Sequence, residues 1–387
     1  MRTISRRTRA ATVVASLAML AGLPAAAEAA SVATEAPVHL TASDDVSFTG
    51  KRSGTTALRG LARRPAPKAT PGPTSPTPTK NPGGTSPTPE ASGRSTTALV
   101  NFAARSFFYD DISTAPLDRN SPAIAANLAR QVSSHWGGVA ALNAHAWNTT
   151  FYRVDAKTPR VNVKWSNCMK FSWTPDGMFN GAKVFLNVPV PTHAVAATGS
   201  DGAMSIYDPT TDTSWEFWQM KKDATGAWQA CQGGRIDKVS TAMGQFPVGF
   251  GVSASGLHMA AGTISAAEAR AGKIDHAMYL AVVEARHFSE FSWPAVRSDG
   301  YTKDPSAPLE GQRLRLDPTL NVDALPISAF AKTVAKAAQK YGFIVCDKGG
   351  AVAVVGEAAQ SLKATTGTDP WPTILGVSTL LCKGLRA

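Results

Sequence analysis

The residues best placed to do chemistry lie between Gly199 and Trp218, in the segment GSDGAMSIYDPTTDTSWEFW. Glu216 stands there among aromatics, with Tyr207 and Trp218 close by along the chain and Asp201 opening the segment. A carboxyl beside an indole has its charged form disfavoured, so its pKa rises toward the range a general acid needs. With Asp201 as second carboxylate, such a pair suits cleavage of a glycosidic bond. Tyr207 and Trp218 offer flat surface to the C–H faces of a sugar, with Trp228 as a further platform. His276, in KIDHAMYL, is an auxiliary acid–base candidate, and Arg235 brings a guanidinium fork that grips carboxylates. Each residue also has a plainer reading. Glu216 would sit in a second core layer or pair with Arg235 on a wet surface. His276 would be a satisfied core histidine, and Asp201-Gly202 a turn dipeptide.

Two strands must carry the candidate face. If Pro209-Thr210-Thr211-Asp212 is the loop, Asp208 faces Thr213, and the register runs outward from there. Ile206 then pairs with Trp215 and Met204 with Phe217, giving one apolar face. Tyr207 pairs with Ser214, Ser205 with Glu216 and Ala203 with Trp218 on the other. A one-residue slip would scramble both faces, so the pattern itself selects the register.

Around this hairpin, short β-branched and aromatic segments punctuated by Gly, Pro, Asp and Asn run from Trp147 to Cys231. They predict a mainly β domain with α additions: an antiparallel β-sandwich or jelly-roll-like core with peripheral helices. Ser121-Pro122 predicts a helix start with Ser121 as N-cap. Ser265 to Glu268 reads as a capping box closed by Gly272. Strands are expected within Ile274–Arg286 and Gln312–Leu316. Pro326–Tyr341 reads as an amphipathic helix striped by Phe330, Val334, Ala337 and Tyr341. FIVCD, a KGG turn and AVAVV then read as a hairpin joining the sheet. His193 is expected in a loop.

Other chemistries lack their motifs. Gly251-Val-Ser253-Ala-Ser255 misses the nucleophile elbow at its last position. There is no H-E-x-x-H, P-loop or Rossmann fingerprint, and Lys348-Gly349-Gly350 reads as a turn, so neither a cofactor nor a metal is expected. The four cysteines, Cys168, Cys231, Cys346 and Cys382, form no C-x-x-C pair, which disfavours zinc. An even count in an exported chain favours two disulfides. Of the three pairings, Cys168–Cys231 with Cys346–Cys382 keeps each closure within one half of the domain.

The ends place the protein outside the cell. Residues 1–29 have a basic start (Arg2, Arg6, Arg7, Arg9), an apolar stretch to about Leu23 and a small-residue site at Ala27-Glu28-Ala29, which is a secretory signal; the alternative is a retained anchor. Residues 30–96 are a basic and then Pro/Thr/Ser/Gly-rich linker with almost nothing apolar to bury. The globular, β-rich domain spans 97–387. Of the formal net charge of +11, most lies before residue 97: residues 51–96 hold eight Lys or Arg against Glu90 alone. The charge therefore fits a tail touching an anionic cell surface and not a nucleic-acid-binding fold. No later stretch is long and apolar enough to span a membrane.

The ordered motifs VPVPTHA, IYDPTTDTSWEFW, GGR, KIDHAM, SWPA, RSDG, RLRLDPTLNV and AAQKYGFIVCDKGG resemble a family of secreted actinobacterial proteins over roughly 147–357. The resemblance implies a secreted, sandwich-like protein whose relatives share Asp201, Glu216, Trp218 and His276, and it brings no mechanism with it. Relatives carry His two positions after the aspartate, where this chain has Ala203. The expected partner is an extracellular polysaccharide or cell-wall glycan. Three functions fit: a glycoside hydrolase or polysaccharide lyase using Glu216, a lectin-like glycan-binding module, and a secreted peptidase.

Overall fold

The computed structural model describes residues 96–376 apart from Asp176. The signal, the linker up to residue 95 and Cys382 lie outside the described residues.

The chain is mainly β, arranged in several mixed sheets with few helices. Nine strands form the two larger sheets: β1 (Ala141–Asn143), β2 (Thr149–Arg153), β3 (Ala203–Asp208), β4 (Thr213–Trp218), β5 (Gln232–Asp237), β6 (Met278–Val282), β7 (Arg313–Leu314), β8 (Phe343–Lys348) and β9 (Ala353–Val355). The first sheet has the order β1-β9-β6-β8-β7 and the second β5-β4-β3-β2. Two smaller sheets lie within residues 160–230. Among the described residues six α-helices accompany them: α1 (Ser121–Ser134), α2 (Met259–Gly262), α3 (Ala266–Ala271), α4 (Ala329–Lys340), α5 (Ala359–Thr366) and α6 (Trp371–Leu375).

The sheets are not purely antiparallel and none closes into a jelly roll. β1 runs parallel to β9, β6 to β8 and β2 to β3. Strand texture in a sequence encodes burial but not direction, because a strand buried on both faces reads the same in either sense. The expected hairpin of β8 and β9 is likewise replaced. β6, buried at all five positions, inserts between them, parallel to β8 and antiparallel to β9.

The hairpin of β3 and β4 has the register its pattern predicts. Met204 pairs with Phe217, Ser205 with Glu216, Ile206 with Trp215, Tyr207 with Ser214 and Asp208 with Thr213. Met204, Ile206, Trp215 and Phe217 pack into a core with Val184, Phe185 and Val188. On the other face, Tyr207 joins Phe151 and Ile236 of the same sheet, and Tyr279, Ile344 and Cys346 of the first sheet, in one apolar layer. The segment 239–261 fills the space between the two sheets. The far side of the first sheet packs on α1, α4 and α6 through Met278, Leu280, Val345, Val132, Phe330 and Trp371.

Helix ends follow local chemistry. Ser265 accepts from the Glu268 amide while Glu268 reaches back to the Ser265 amide, and Gly272 ends α3 in the left-handed region. α1 begins one residue earlier than predicted, with Asn120 as its N-cap and Pro122 in the first turn. α4 is capped by Ser328. Cys168 and Cys231 form a disulfide with Cα atoms 5.4 Å apart. Cys346 is a buried free thiol, which leaves the expected Cys346–Cys382 bridge without support.

Candidate functional site

The structure divides the expected constellation into three places. Glu216 is interior, Asp201 and Trp218 lie at a partly exposed edge, and His276 lies under α3.

Glu216 points into the layer between the sheets and has no exposed surface, so no polysaccharide reaches it. This corrects its expected role as a general acid and has a simple cause: the face opposite Met204 and Ile206 is covered by α2 and by His258, Phe102 and Phe246. The Ser205 hydroxyl donates to Glu216 Oε1 at 2.9 Å, and the Ala260 amide approaches the same oxygen at 3.4 Å. Thr149 extends the chain of hydroxyls at 2.8 Å from Ser205. His258 sets Nδ1 3.2 Å from Glu216 Oε1 and Nε2 2.7 Å from the Ser214 hydroxyl.

The order Ser214, His258, Glu216 is the one a Ser-His-acid triad has, without its histidine–acid hydrogen bond, and no local spacing in the sequence announces it. It is nonetheless sealed. Ser214, His258 and Glu216 are all fully buried, and the Ser214 hydroxyl donates to the Ile206 carbonyl at 2.9 Å. Phe246 stacks on the imidazole and Phe102 meets it edge-on. Burial raises the Glu216 carboxyl to about 8, against the Ser205 and Ala260 hydrogen bonds. Burial also lowers His258 to about 3. At neutral pH both groups are uncharged. Glu216 Oε2 and His258 Nδ1 lack hydrogen-bond partners, and keeping the pair neutral limits the cost of burying it.

The other expected contacts disperse. Tyr207 is buried beneath the Arg153 guanidinium, 5.3 Å from its ring. Trp228 lies under Lys222 in a separate small sheet. Arg235 pairs with Trp215 across the strands, on the face away from Glu216, and its guanidinium binds Asp237 at 2.8 Å. His276 is buried, with Nε2 3.1 Å from Glu268 Oε1 and Nδ1 2.9 Å from the Ala277 carbonyl. Burial, the largest single effect, would lower His276, but the Glu268 charge and hydrogen bond, with the Ala277 carbonyl and Asp275, together raise its pKa. Glu268 is held low in turn, its own burial outweighed by His276. The two form an internal ion pair that anchors the first turn of α3.

Asp201 accepts from the Trp218 indole at 3.2 Å, and its charge reaches a second group of acids that sequence reasoning missed. Asp347 lies near the carboxyl end of β8, beside the carboxyl end of the parallel strand β6. Asp299 and Glu310 come from the long excursion after β6. A register irregularity between Leu280 and Ala281 sets Asp347, in place of Cys346, opposite Ala281, the use bulges have beside functional sites. Its carboxylate then meets the Ala254 amide at 3.0 Å. Arg297 fixes that loop by donating to the carbonyls of Phe250, Gly251, Ser253 and Ala254.

Two glycines let the acids approach. A Cβ on Gly300 would stand 1.7 Å from the Arg286 carbonyl oxygen, and one on Gly311 1.8 Å from that of Ser292. Asp299-Gly300 and Glu310-Gly311 therefore sit where backbone meets backbone. Together with Asp201-Gly202, these acid–glycine pairs are the signal in the sequence that marks the place.

The electrostatics differ from one acid to the next. Asp299 is half exposed and pairs with Lys348 Nζ at 3.1 Å. Glu310 is fully buried and accepts from the Asp299 amide at 3.4 Å; burial first, then the neighbouring Asp299 carboxyl, push its pKa well above the carboxylate range. Burial raises Asp347 to about 7, with the Asp299 and Asp201 charges adding to it. Asp299, Glu310 and Asp347 thus lie close enough to act on one another, beside Tyr301, whose ring Lys348 overlies at 5.1 Å. Among the described residues no cluster of His, Cys, Asp or Glu could hold a metal ion, and no helix is long and apolar enough to cross a membrane. Comparison with protein-family models, with curated proteins and with solved structures finds no match to this chain.

Proposed function

We propose that the protein is secreted and cleaves an extracellular glycan at the mouth formed by Asp299, Glu310 and Asp347. The observation that carries the reading is a buried carboxyl, Asp347, beside an ion-paired one, Asp299. Asp299 is ion-paired with Lys348, while Asp347 is raised to about 7 and retains a proton near neutrality. A buried carboxyl that keeps its proton near neutrality, next to a carboxyl paired with an ammonium, can supply an acid and a base at one pH. Asp347 would protonate the leaving oxygen as the glycosidic bond breaks, and Asp299 would either take a proton from the attacking water or bond to the anomeric carbon in an ester that water then cleaves. Glu310, which is buried, would act by accepting the Asp299 amide and holding that residue in place, and is a positioning residue. Asp201, Trp218 and Tyr301 would border the substrate.

The test is reducing-end release from a panel of soluble and cell-wall polysaccharides. Asp299→Asn and Asp347→Asn should each lower turnover by at least about a hundredfold. Glu216→Gln should leave it within a fewfold. Equal activity in all four proteins, or no turnover of any glycan by the unaltered chain, rejects the reading. Release of peptides from casein by the same carboxyls would assign the mouth to a peptidase.

A lectin-like module is the second reading, favoured by one observation. Phe288, Phe291, Trp293 and Tyr301 are exposed on the single excursion 285–311, with Trp293 62% and Tyr301 60% accessible. Binding to cell-wall material that survives Asp347→Asn but is lost in Trp293→Ala would support it over catalysis.

A further inference from the structure

A cavity of about 810 Å³ shares no residue with the carboxyl mouth. Its volume lies within the range of small-molecule sites. Phe151, Tyr152 and Arg153 of β2 form one part of its wall, Arg270 of α3 another, and Glu357 and the first turns of α5 a third. We propose that this cavity binds a carboxylate-bearing sugar unit, with Arg153 and Arg270 gripping the carboxylate and Glu357 meeting a hydroxyl.

Two features on different elements support this. Arg153 and Arg270 have no ion-pair partner among the described residues, although both line a concave, ligand-sized space. Arg153 is steadied by the Tyr207 ring beneath it. Guanidinium groups lining a cavity match a planar carboxylate through paired N–H donors, although here Arg270 also acts on the Glu357 charge. Glu357 is 8% exposed, and one oxygen accepts the Ala266 amide at 3.0 Å. Burial first, then the nearby Glu268 charge, raise it to about 7, so its carboxyl can donate as well as accept. The rest of the wall is mixed, with Phe151 and Tyr152 offering ring surface beside Thr and Ser positions. A hydroxylated ring with one negative charge fits this combination better than a purely apolar or a multiply charged ligand.

The inference is independent of the catalytic reading, and its test separates them. Calorimetric titration of the full chain with an oligouronide, the matching neutral oligosaccharide and inorganic phosphate reads the preference directly. The oligouronide should bind, the neutral sugar at least about tenfold more weakly, and phosphate no better than the neutral sugar. Arg153→Gln and Arg270→Gln should each weaken oligouronide binding about tenfold with an unchanged melting temperature, because both side chains are exposed. Glu310→Gln should leave binding as it is. Equal affinity for charged and neutral sugars, preference for phosphate, or binding untouched by both arginine substitutions overturns the proposal. Loss of binding in Glu310→Gln alone would move the site to the mouth.

Discussion

Replacing Glu216 by Gln tests the interior cluster most directly, because the neutral form of the carboxyl and the amide have nearly the same shape. Glu216 is raised from 4.5 to about 8 in the folded protein. Between those values the folded chain holds a proton that the unfolded chain has lost, so the unfolded state binds fewer protons and stability falls as pH rises. A tenfold difference in proton affinity between the two states corresponds to about 1.4 kcal/mol, so the full loss is at most about 5 kcal/mol, complete above pH 8. His258 behaves in the opposite sense. It is lowered from 6.5 to about 3, the unfolded chain binds the extra proton between those values, and stability rises with pH across that window. The two slopes oppose each other from 4.5 to 6.5, and only the Glu216 loss remains from 6.5 to 8. Glu216→Gln removes that loss. Urea unfolding of both proteins, followed by tryptophan fluorescence at pH steps from 4 to 9, should show the variant gaining on the parent steadily above pH 4.5 and levelling off near pH 8. Taking the difference cancels the shared contributions of Asp347, Glu357 and Glu310. A difference that stays constant across the range, or shrinks with pH, would refute the claim that Glu216 is buried and neutral.

Four further outcomes concern the rest of the fold. Cys168→Ser should destabilise the chain by up to about 4 kcal/mol by freeing a loop of sequence separation 63, read as a lower denaturation midpoint. Cys346 should stay unreactive to a thiol reagent until the protein unfolds, since its burial pushes the thiol well above its usual range. Arg297→Lys should destabilise by about 2–4 kcal/mol and not rescue Arg297→Met, because one ammonium cannot serve four carbonyls with the geometry of the fork; calorimetry decides. Ser265→Ala should cost about 1 kcal/mol through loss of the capping box, measured in the same way.

The register of β3 and β4 was legible because apolar and polar residues alternate on both strands and only one pairing keeps Met204, Ile206, Trp215 and Phe217 together. That the polar face is also buried was not legible. Its cover, Phe102, Phe246 and His258, comes from segments far away in the chain, and no local period records a long-range approach. The raised pKa expected of Glu216 holds for a different reason from the one the pattern suggests: the interior takes the charge out of water, with no cleft involved. The capping box at Ser265 needs only residues three apart and was readable directly. Asp299 and Glu310 were hidden because an acid before glycine reads first as a turn. Only the backbone oxygens standing where a Cβ would be give those glycines their meaning.

One segment links the interior to the mouth, and it sets how substitutions at either place act on the other. Residues 250–254 are fixed by Arg297 and present the Ala254 amide to Asp347. A few residues on, the same segment carries His258 and the Ala260 amide to Glu216. Removing the Glu216 side chain altogether leaves a space and frees the Ser205 hydroxyl and the Ala260 amide, so the segment is expected to move and to carry Ala254 with it. On the proposed function, Glu216→Ala should therefore lower glycan cleavage although Glu216 has no exposed surface. Glu216→Gln fills the same space and should not. If the two variants lose activity equally, Glu216 takes part in the chemistry and the interior placement is not that of the working protein. If only the alanine variant loses it, and its pH–rate profile also moves on the limb set by Asp347, the loss has travelled through the 250–260 segment.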